Sequence, residues 1–369
     1  MTVSQIRRIL SPAALLRLSL PWAAVIAAAL LPHELAPAVV WLVLGLIVAV
    51  ILVAAFGVVH EAEALARRLG DPYGTLVLTL SIVLIEVILI SAVMLGPGEH
   101  ATIARDSVTA VMMIILNLVV GTCLLVGGLR HGAMRPNRTG AGAYVALIAV
   151  LSATALVVPA ALPGGAYPAA GAVAISVITI ALYGFFLWRQ TGPQAGDYRE
   201  VGESAAASHA PLHETVRQHG GELAMRTALL IATMVPIVLL SHHLATLLDV
   251  AFDAIGAPAA LSGVVIALIV FTPETLTAVR AARAGEIQRV VNLCLGAFVS
   301  TVGLTIPSVL IIGLVTGQTV VLAESPIMLV LVATTVLTTA ATFLGKRVTA
   351  THGAVHMALF ALFGVLLFL

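Results

Sequence analysis

The chain has 369 residues, of which 60% are hydrophobic and only 9% charged, and its mean hydropathy is +1.12. A soluble domain carries about 25% charged residues, so this chain cannot cover itself with polar surface and reads as a polytopic, all-α membrane protein. Its net charge of +1 is spread over loops with no basic patch for nucleic acid, and its two cysteines, Cys123 and Cys294, lie inside apolar runs, which excludes a disulfide framework or a structural zinc site.

Apolar runs bounded by charge, Gly or Pro predict eleven membrane spans, near 18–32, 36–58, 74–96, 107–129, 142–162, 168–188, 225–247, 258–280, 288–315, 326–344 and 353–369. The first follows Arg7, Arg8 and Arg17 and is read as an uncleaved helix, because Pro32-His33-Glu34 makes a poor cleavage site. With the N-terminus inside, the segments 1–17, 59–73, 130–141, 189–224, 281–287 and 345–352 and their flanks hold 17 of the 18 Lys and Arg residues, and only Arg105 falls outside. That bias predicts an inside N-terminus and an outside C-terminus, and a miscounted span would reverse every later loop.

Of the 17 acids, fifteen lie in loops or at span ends. Only Glu86 and Glu274 sit well inside apolar runs, where a carboxylate costs roughly 2.5–3.5 kcal/mol on insertion scales and is read as functional. The sizeable loop 189–224, with His209, His213 and His219 among Glu203, Glu214 and Glu222, is read as a flexible, solvated cytoplasmic linker. It separates two weakly similar halves. Gly70-Asp71-Pro72 precedes Glu86 and Gly256-Ala257-Pro258 precedes Glu274, and the next span in each half carries Asn-Leu-x-x-Gly, at Asn117 and at Asn292.

The domain reading is therefore 1–35 for the basic N-terminus and first helix, 36–188 for one five-helix repeat, 189–224 for the linker and 225–369 for the second repeat. Five is odd, so the second repeat enters the membrane from the opposite side, a pattern of secondary transporters with an ion site at the midplane. Pro273, beside Glu274, removes a backbone donor and is expected to break or kink its helix, freeing carbonyls and serving as a gating element.

Two opposed carboxylates suit a hard cation such as Ca²⁺, which takes about 6–8 oxygen ligands. In low dielectric the pair cannot stay doubly ionised when empty, so protons and the cation compete for the same oxygens, which is the physical basis of exchange. Asn117 and Asn292 are candidate amide-oxygen ligands. Thr79, Ser81, Thr122, Thr272 and Thr301 are candidate hydroxyls, with a bond to their own helices as the ordinary alternative. His356 and the His242-His243 pair read as packing and interfacial residues.

The stretches Gly70-Asp71-Pro72-Tyr73-Gly74-Thr75-Leu76 leading to Ile85-Glu86-Val87, Thr272-Pro273-Glu274, and Gln288-Arg289-Val290-Val291-Asn292-Leu293 resemble the cation/calcium exchanger superfamily, and within it the bacterial calcium/cation–proton antiporters. The resemblance implies eleven helices, one N-terminal helix plus two inverted five-helix repeats, and a glutamate from each repeat on the transported ion, mapping to Glu86 and Glu274. It further implies a bacterial inner-membrane protein that exchanges cytoplasmic Ca²⁺ for protons by alternating access. Many members carry Gly-Asn ahead of each glutamate; here Ser81 to Glu86 and Ile269 to Glu274 lack it, as in the branch described for Na⁺ and K⁺ alongside Ca²⁺. The alternatives are a Na⁺/Ca²⁺-type exchanger of the same fold and a passive cation channel, which the inverted repeat disfavours. No enzyme is expected, since the spans contain no aspartyl pair, Ser-His couple or HExxH helix. The expected partners are cations, protons and the lipid bilayer, with no resident cofactor, and the sequence sets no oligomeric state.

Overall fold

The computed structural model describes residues 6–7, 9–32, 36–69, 73–94, 101–192, 194–199, 212–258 and 260–369. The Gly70-Asp71-Pro72 motif, the Thr79 side chain, Glu203, His209 and the His213 side chain lie outside the described residues. Among the described residues the regular structure is helical, with one isolated antiparallel bridge between Met134 and Val348. The principal helices are α1 (Pro12–Ala29), α2 (Pro37–Leu69), α3 (Tyr73–Met94), α4 (Ile103–His131), α5 (Arg138–Ala160), α6 (Ala169–Thr191), α7 (Leu212–Asp253), α8 (Ala260–Ala284), α9 (Ile287–Thr316), α10 (Pro326–Phe343) and α11 (Ala350–Leu366). Nine helices among the described residues are long and apolar enough to cross a membrane.

Local chemistry sets the helix starts. Ser11 and Ser325 each precede a proline at the first helical position, and their hydroxyls accept from Ala14 N at 3.2 Å and Met328 N at 3.3 Å. At the other end, α2 finishes on Arg67 and Arg68, which complement the negative pole of its dipole.

The chain forms two compact units, Met1–Gly96 with Ala206–Ser262, and Pro97–Ala205 with Gly263–Leu369. The first contains α1–α3 and α7; the second contains α4–α6, α8 from Gly263 onward, and α9–α11. Each unit thus draws on both halves of the sequence.

In the first unit α2 packs along α7, and Trp22 of α1 donates through Nε1 to the Ala232 carbonyl at 3.0 Å. With 33 residues, α2 reaches about 50 Å, well past the ~30 Å apolar layer of a bilayer. Its basic end joins α7 through Arg226 to Glu61 at 2.9 Å, which is largely buried, and Arg68 to Glu222 at 3.1 Å, where Arg68 is exposed; Arg226 also pairs with Glu222 one turn back on α7 at 3.1 Å. Residues 212–224, expected as part of a flexible linker, are accordingly helical as the start of α7. Glu214–Arg217 and Glu222–Arg226 sit at helical spacing, and the long-range pairs to α2 hold the turn that the local sequence leaves open.

In the second unit α11 lies hard against α4. A Cβ at Gly353 would come within 2.6 Å of Leu125 N and 2.7 Å of the Gly121 carbonyl, so this crossing exists only because both positions are glycine. The turn Ala195–Tyr198 seats the Tyr198 ring against Tyr144 and Phe186, with centroids 5.4 and 5.9 Å apart. That part of the expected linker is folded onto the helices, because its one aromatic finds a ring pocket.

Candidate functional site

Glu86 is buried and Glu274 half-buried, and the two fall in different compact units. In the first, α3 is apolar around its whole circumference, and Glu86 sits in it only 2% exposed, within a turn or so of buried Val83, Ile85, Leu89 and Ile90.

In the second unit Glu274 lines a small cavity. Its walls are Phe271 and Thr275 of α8, Ile115 and Val119 of α4, and Leu293 and Cys294 of α9. The lining is apolar apart from the carboxylate, one thiol and one hydroxyl, and that hydroxyl donates to its own helix, Thr275 Oγ1 to the Phe271 carbonyl at 2.7 Å. Among the described residues no group of three or more His, Cys, Asp or Glu is placed to hold a metal ion. A cation at Glu274 would complete its shell with water, carbonyls or groups not lining this cavity.

Pro273 is buried, and the expected break does not occur: α8 is continuous helix from Ala260 to Ala284. One proline removes a single ladder bond, and the close-packed helix on either side keeps the remaining turns in register. The Ile269 carbonyl loses its usual main-chain donor, and the Pro273 carbonyl accepts from Thr277 Oγ1 at 3.1 Å.

π-helical winding occurs instead in α4, from Met113 to Val119 around Asn117, and in α5, from Ala153 to Val157. The Asn117 side chain turns toward α10 and α11: Nδ2 donates to Thr335 Oγ1 at 2.9 Å, and Oδ1 is 3.2 Å from His356 Nδ1. Its counterpart Asn292 donates through Nδ2 to the Tyr198 carbonyl at 2.6 Å and accepts at Oδ1 from Gln288 Nε2 at 3.0 Å. Neither asparagine lines the Glu274 cavity. Ser81, Thr122 and Thr272 donate to carbonyls four residues back on their own helices, the ordinary alternative for such hydroxyls, and Thr301 is fully buried in α9.

Sequence reasoning missed three features: the π-turn, Cys294 beside Glu274, and His356 as a bonding partner of Asn117. None has a local signal, since each depends on which helices meet. A charged cluster also closes the Ile103 end of α4. Arg105 pairs with Asp106 at 2.7 Å and lies 3.9 Å from Glu324, whose Oε1 accepts from Thr109 at 2.5 Å.

Long apolar helices, glycine-mediated crossings and a carboxylate lining an interior cavity define a helical ion-transport protein of the membrane. The chain belongs to the sodium/calcium exchanger protein family, whose sequence profile matches residues 39–192 and 225–369. It is similar to the putative ionic transporter y4hA of Sinorhizobium fredii (strain NBRC 101917 / NGR234), 37% identical with 84% of each chain covered. It is also similar to the sodium-potassium/proton antiporter ChaA of Escherichia coli (strain K12), 34% identical over 86% of each chain. Among solved structures, native YfkE matches with a TM-score of 0.74 at 19% identity, covering 96% of this chain and 99% of that one. The H⁺/Ca²⁺ exchanger CAX matches with a TM-score of 0.72 at 14% identity, covering 98% and 89%. These two show the fold.

Proposed function

We propose that the protein is a secondary active antiporter that exchanges a cytoplasmic cation for protons by alternating access, with Glu86 and Glu274 both taking the ion. The observation that carries this reading is Glu274 lining an interior cavity in a chain of the exchanger family, with Glu86 as its counterpart in the other half of the sequence. Protons and cation compete for the same carboxylate oxygens. If the protein changes its open side only when that site is filled, cation leaving drives protons in, with no separate proton path. In this conformation the oxygens of Asn117 and Asn292 each face one protein donor, which leaves each a second lone pair for an ion. The reading includes eleven spans, two inverted five-helix repeats, a cytoplasmic N-terminus, a bacterial inner membrane and a gating contribution from Pro273.

Two observations bear on the cargo. The solved relatives named for Ca²⁺/H⁺ exchange are 19% identical or less, whereas the 34%-identical relative is named for sodium-potassium/proton exchange. Ca²⁺, Na⁺ and K⁺ are therefore all cargo to be tested. Proteoliposomes holding a pH-sensitive dye and an imposed proton gradient should lose that gradient when at least one of the three cations is added. Glu86→Gln and Glu274→Gln should each abolish the response, and normal exchange by both variants would sink the two-glutamate reading. Cation current with no proton movement would point to a channel.

A further inference from the structure

The π-turn of α4 has two differently occupied sides. Ile115 and Val119 line the Glu274 cavity, while Asn117, between them, bonds to α10 and α11. Around Asn117 runs a hydrogen-bonded chain across three helices. Asn117 Nδ2 donates to Thr335 Oγ1 at 2.9 Å and to Met113 Sδ at 3.3 Å. Asn117 Oδ1 lies 3.2 Å from His356 Nδ1, and His356 Nε2 lies 3.2 Å from Thr342 Oγ1. Asn117, Thr335, His356 and Thr342 are each at most 1% exposed.

The His356 ring also hydrogen-bonds to the Leu116 main chain, and for a neutral imidazole its tautomer follows from the amide it faces. Oδ1 can only accept, so His356 Nδ1 carries the hydrogen and Nε2 accepts from the Thr342 hydroxyl. The amide of Asn117 is then held at both ends, its oxygen by α11 and its nitrogen by α10. The Gly353–Gly121 crossing brings α11 close enough to α4 for His356 to reach.

A π-turn has poorer hydrogen-bond geometry than an α-turn and persists where surrounding contacts hold it. Relaxing it to α-helical winding would shift the register of the downstream turns of α4 by one residue, a rotation of about 100°. Val119 would then leave the cavity wall opposite Glu274. We infer that His356, acting with Thr335 through Asn117, is a positioning residue of the transport site. It holds the π-turn in the register that sets Ile115 and Val119 against Glu274, and so sets the cation affinity of that site. This inference rests on the reading of Glu274 as the cation and proton site.

The test is the half-saturating cation concentration and the maximal rate of exchange in proteoliposomes, normalised to folded protein. His356→Leu removes the ring's bonds to Asn117, Thr342 and the Leu116 main chain and should raise the half-saturating concentration by about tenfold while the maximal rate falls less than about twofold. Asparagine can place its Nδ2 where Nδ1 stands, so His356→Asn should restore most of the affinity. Glutamine mimics Nε2 and leaves Asn117 without its donor, so His356→Gln should not. A role confined to core packing would change yield and melting temperature for all three variants without separating Asn from Gln. Should His356→Leu fail to fold, the near-isosteric Thr335→Val, which removes the acceptor of Asn117 Nδ2, decides the matter by the same rise. Unchanged affinity in the folded variants, or equal behaviour of Asn and Gln, overturns the inference. Glu274→Gln in the same preparation separates the two readings. If it exchanges normally, the Glu274 site is wrong; if it is inactive while His356→Leu keeps wild-type affinity, only the positioning role is wrong.

Discussion

Arg105, the one basic residue that the predicted topology places outside, is held by its neighbours: two contacts to Asp106, a bond to the Ala323 carbonyl at 3.1 Å, and Glu324 nearby. Burial pushes the Glu324 carboxyl above its ordinary range, against the opposing pull of the Thr109 hydroxyl and Arg105, with Asp106 adding to the rise. An acid with a raised folded-state pKa binds more protons folded than unfolded, so stability is greatest at low pH and falls as pH climbs from the ordinary carboxylate range through the raised value. Glu324→Gln should flatten that decline. Melting temperatures of detergent-solubilised wild type and variant between pH 4 and about 8 measure it, and parallel curves would refute the assignment. Glu86 and Glu274 were legible in the sequence because an acid in an apolar run carries a cost that demands a reason. The bond from Asn117 to His356 was not, because 239 residues separate them and a lone histidine in an apolar helix looks the same whether or not an amide faces it.

At the scale of the helix, the proline was visible and its consequence was misplaced. Pro273 lies within unbroken α8, while α-winding gives way to π-winding at Met113–Val119 and at Ala153–Val157, stretches with neither Pro nor Gly. A proline's missing donor is a local fact, but whether a helix opens there is decided by its packing. A π-turn, conversely, is imposed by partners on other helices and leaves no spacing signal. Pro273→Ala returns a donor to the Ile269 carbonyl and should raise stability by on the order of 1 kcal/mol, less than the ~3 kcal/mol of an unsupported interior proline, because the surrounding helices already support the turn. If α8 bends during the transport cycle, the same change should slow exchange severalfold while raising the melting temperature. A faster or unchanged rate would remove Pro273 from gating.

For the whole molecule, repeat and compact unit are different divisions of the chain. The sequence splits at the 189–224 linker, yet each compact unit takes helices from both sides of that split. Compact units record which helices bury each other's surface, and here they join helices from both halves of the sequence. What the sequence carries at this scale is orientation, through the placement of 17 of its 18 Lys and Arg residues. It predicts that the short turn between α8 and α9, flanked by Arg283 and Arg289 and holding Glu286, faces the cytoplasm, and that the segment between α9 and α10, which carries Glu324, faces outside. Ala284, the last residue of α8, and Gln318, between α9 and α10, are exposed, and the native Cys123 and Cys294 are both buried. With the native cysteines replaced by serine, Gln318→Cys should react with a membrane-impermeant maleimide in intact cells, and Ala284→Cys only after the membrane is opened. The reverse pattern would invert every loop at once, and cation expulsion would then have to be reassigned as uptake. Labelling of both cysteines in intact cells would mean that an odd number of spans does not separate them, and α9 would no longer count as a full crossing.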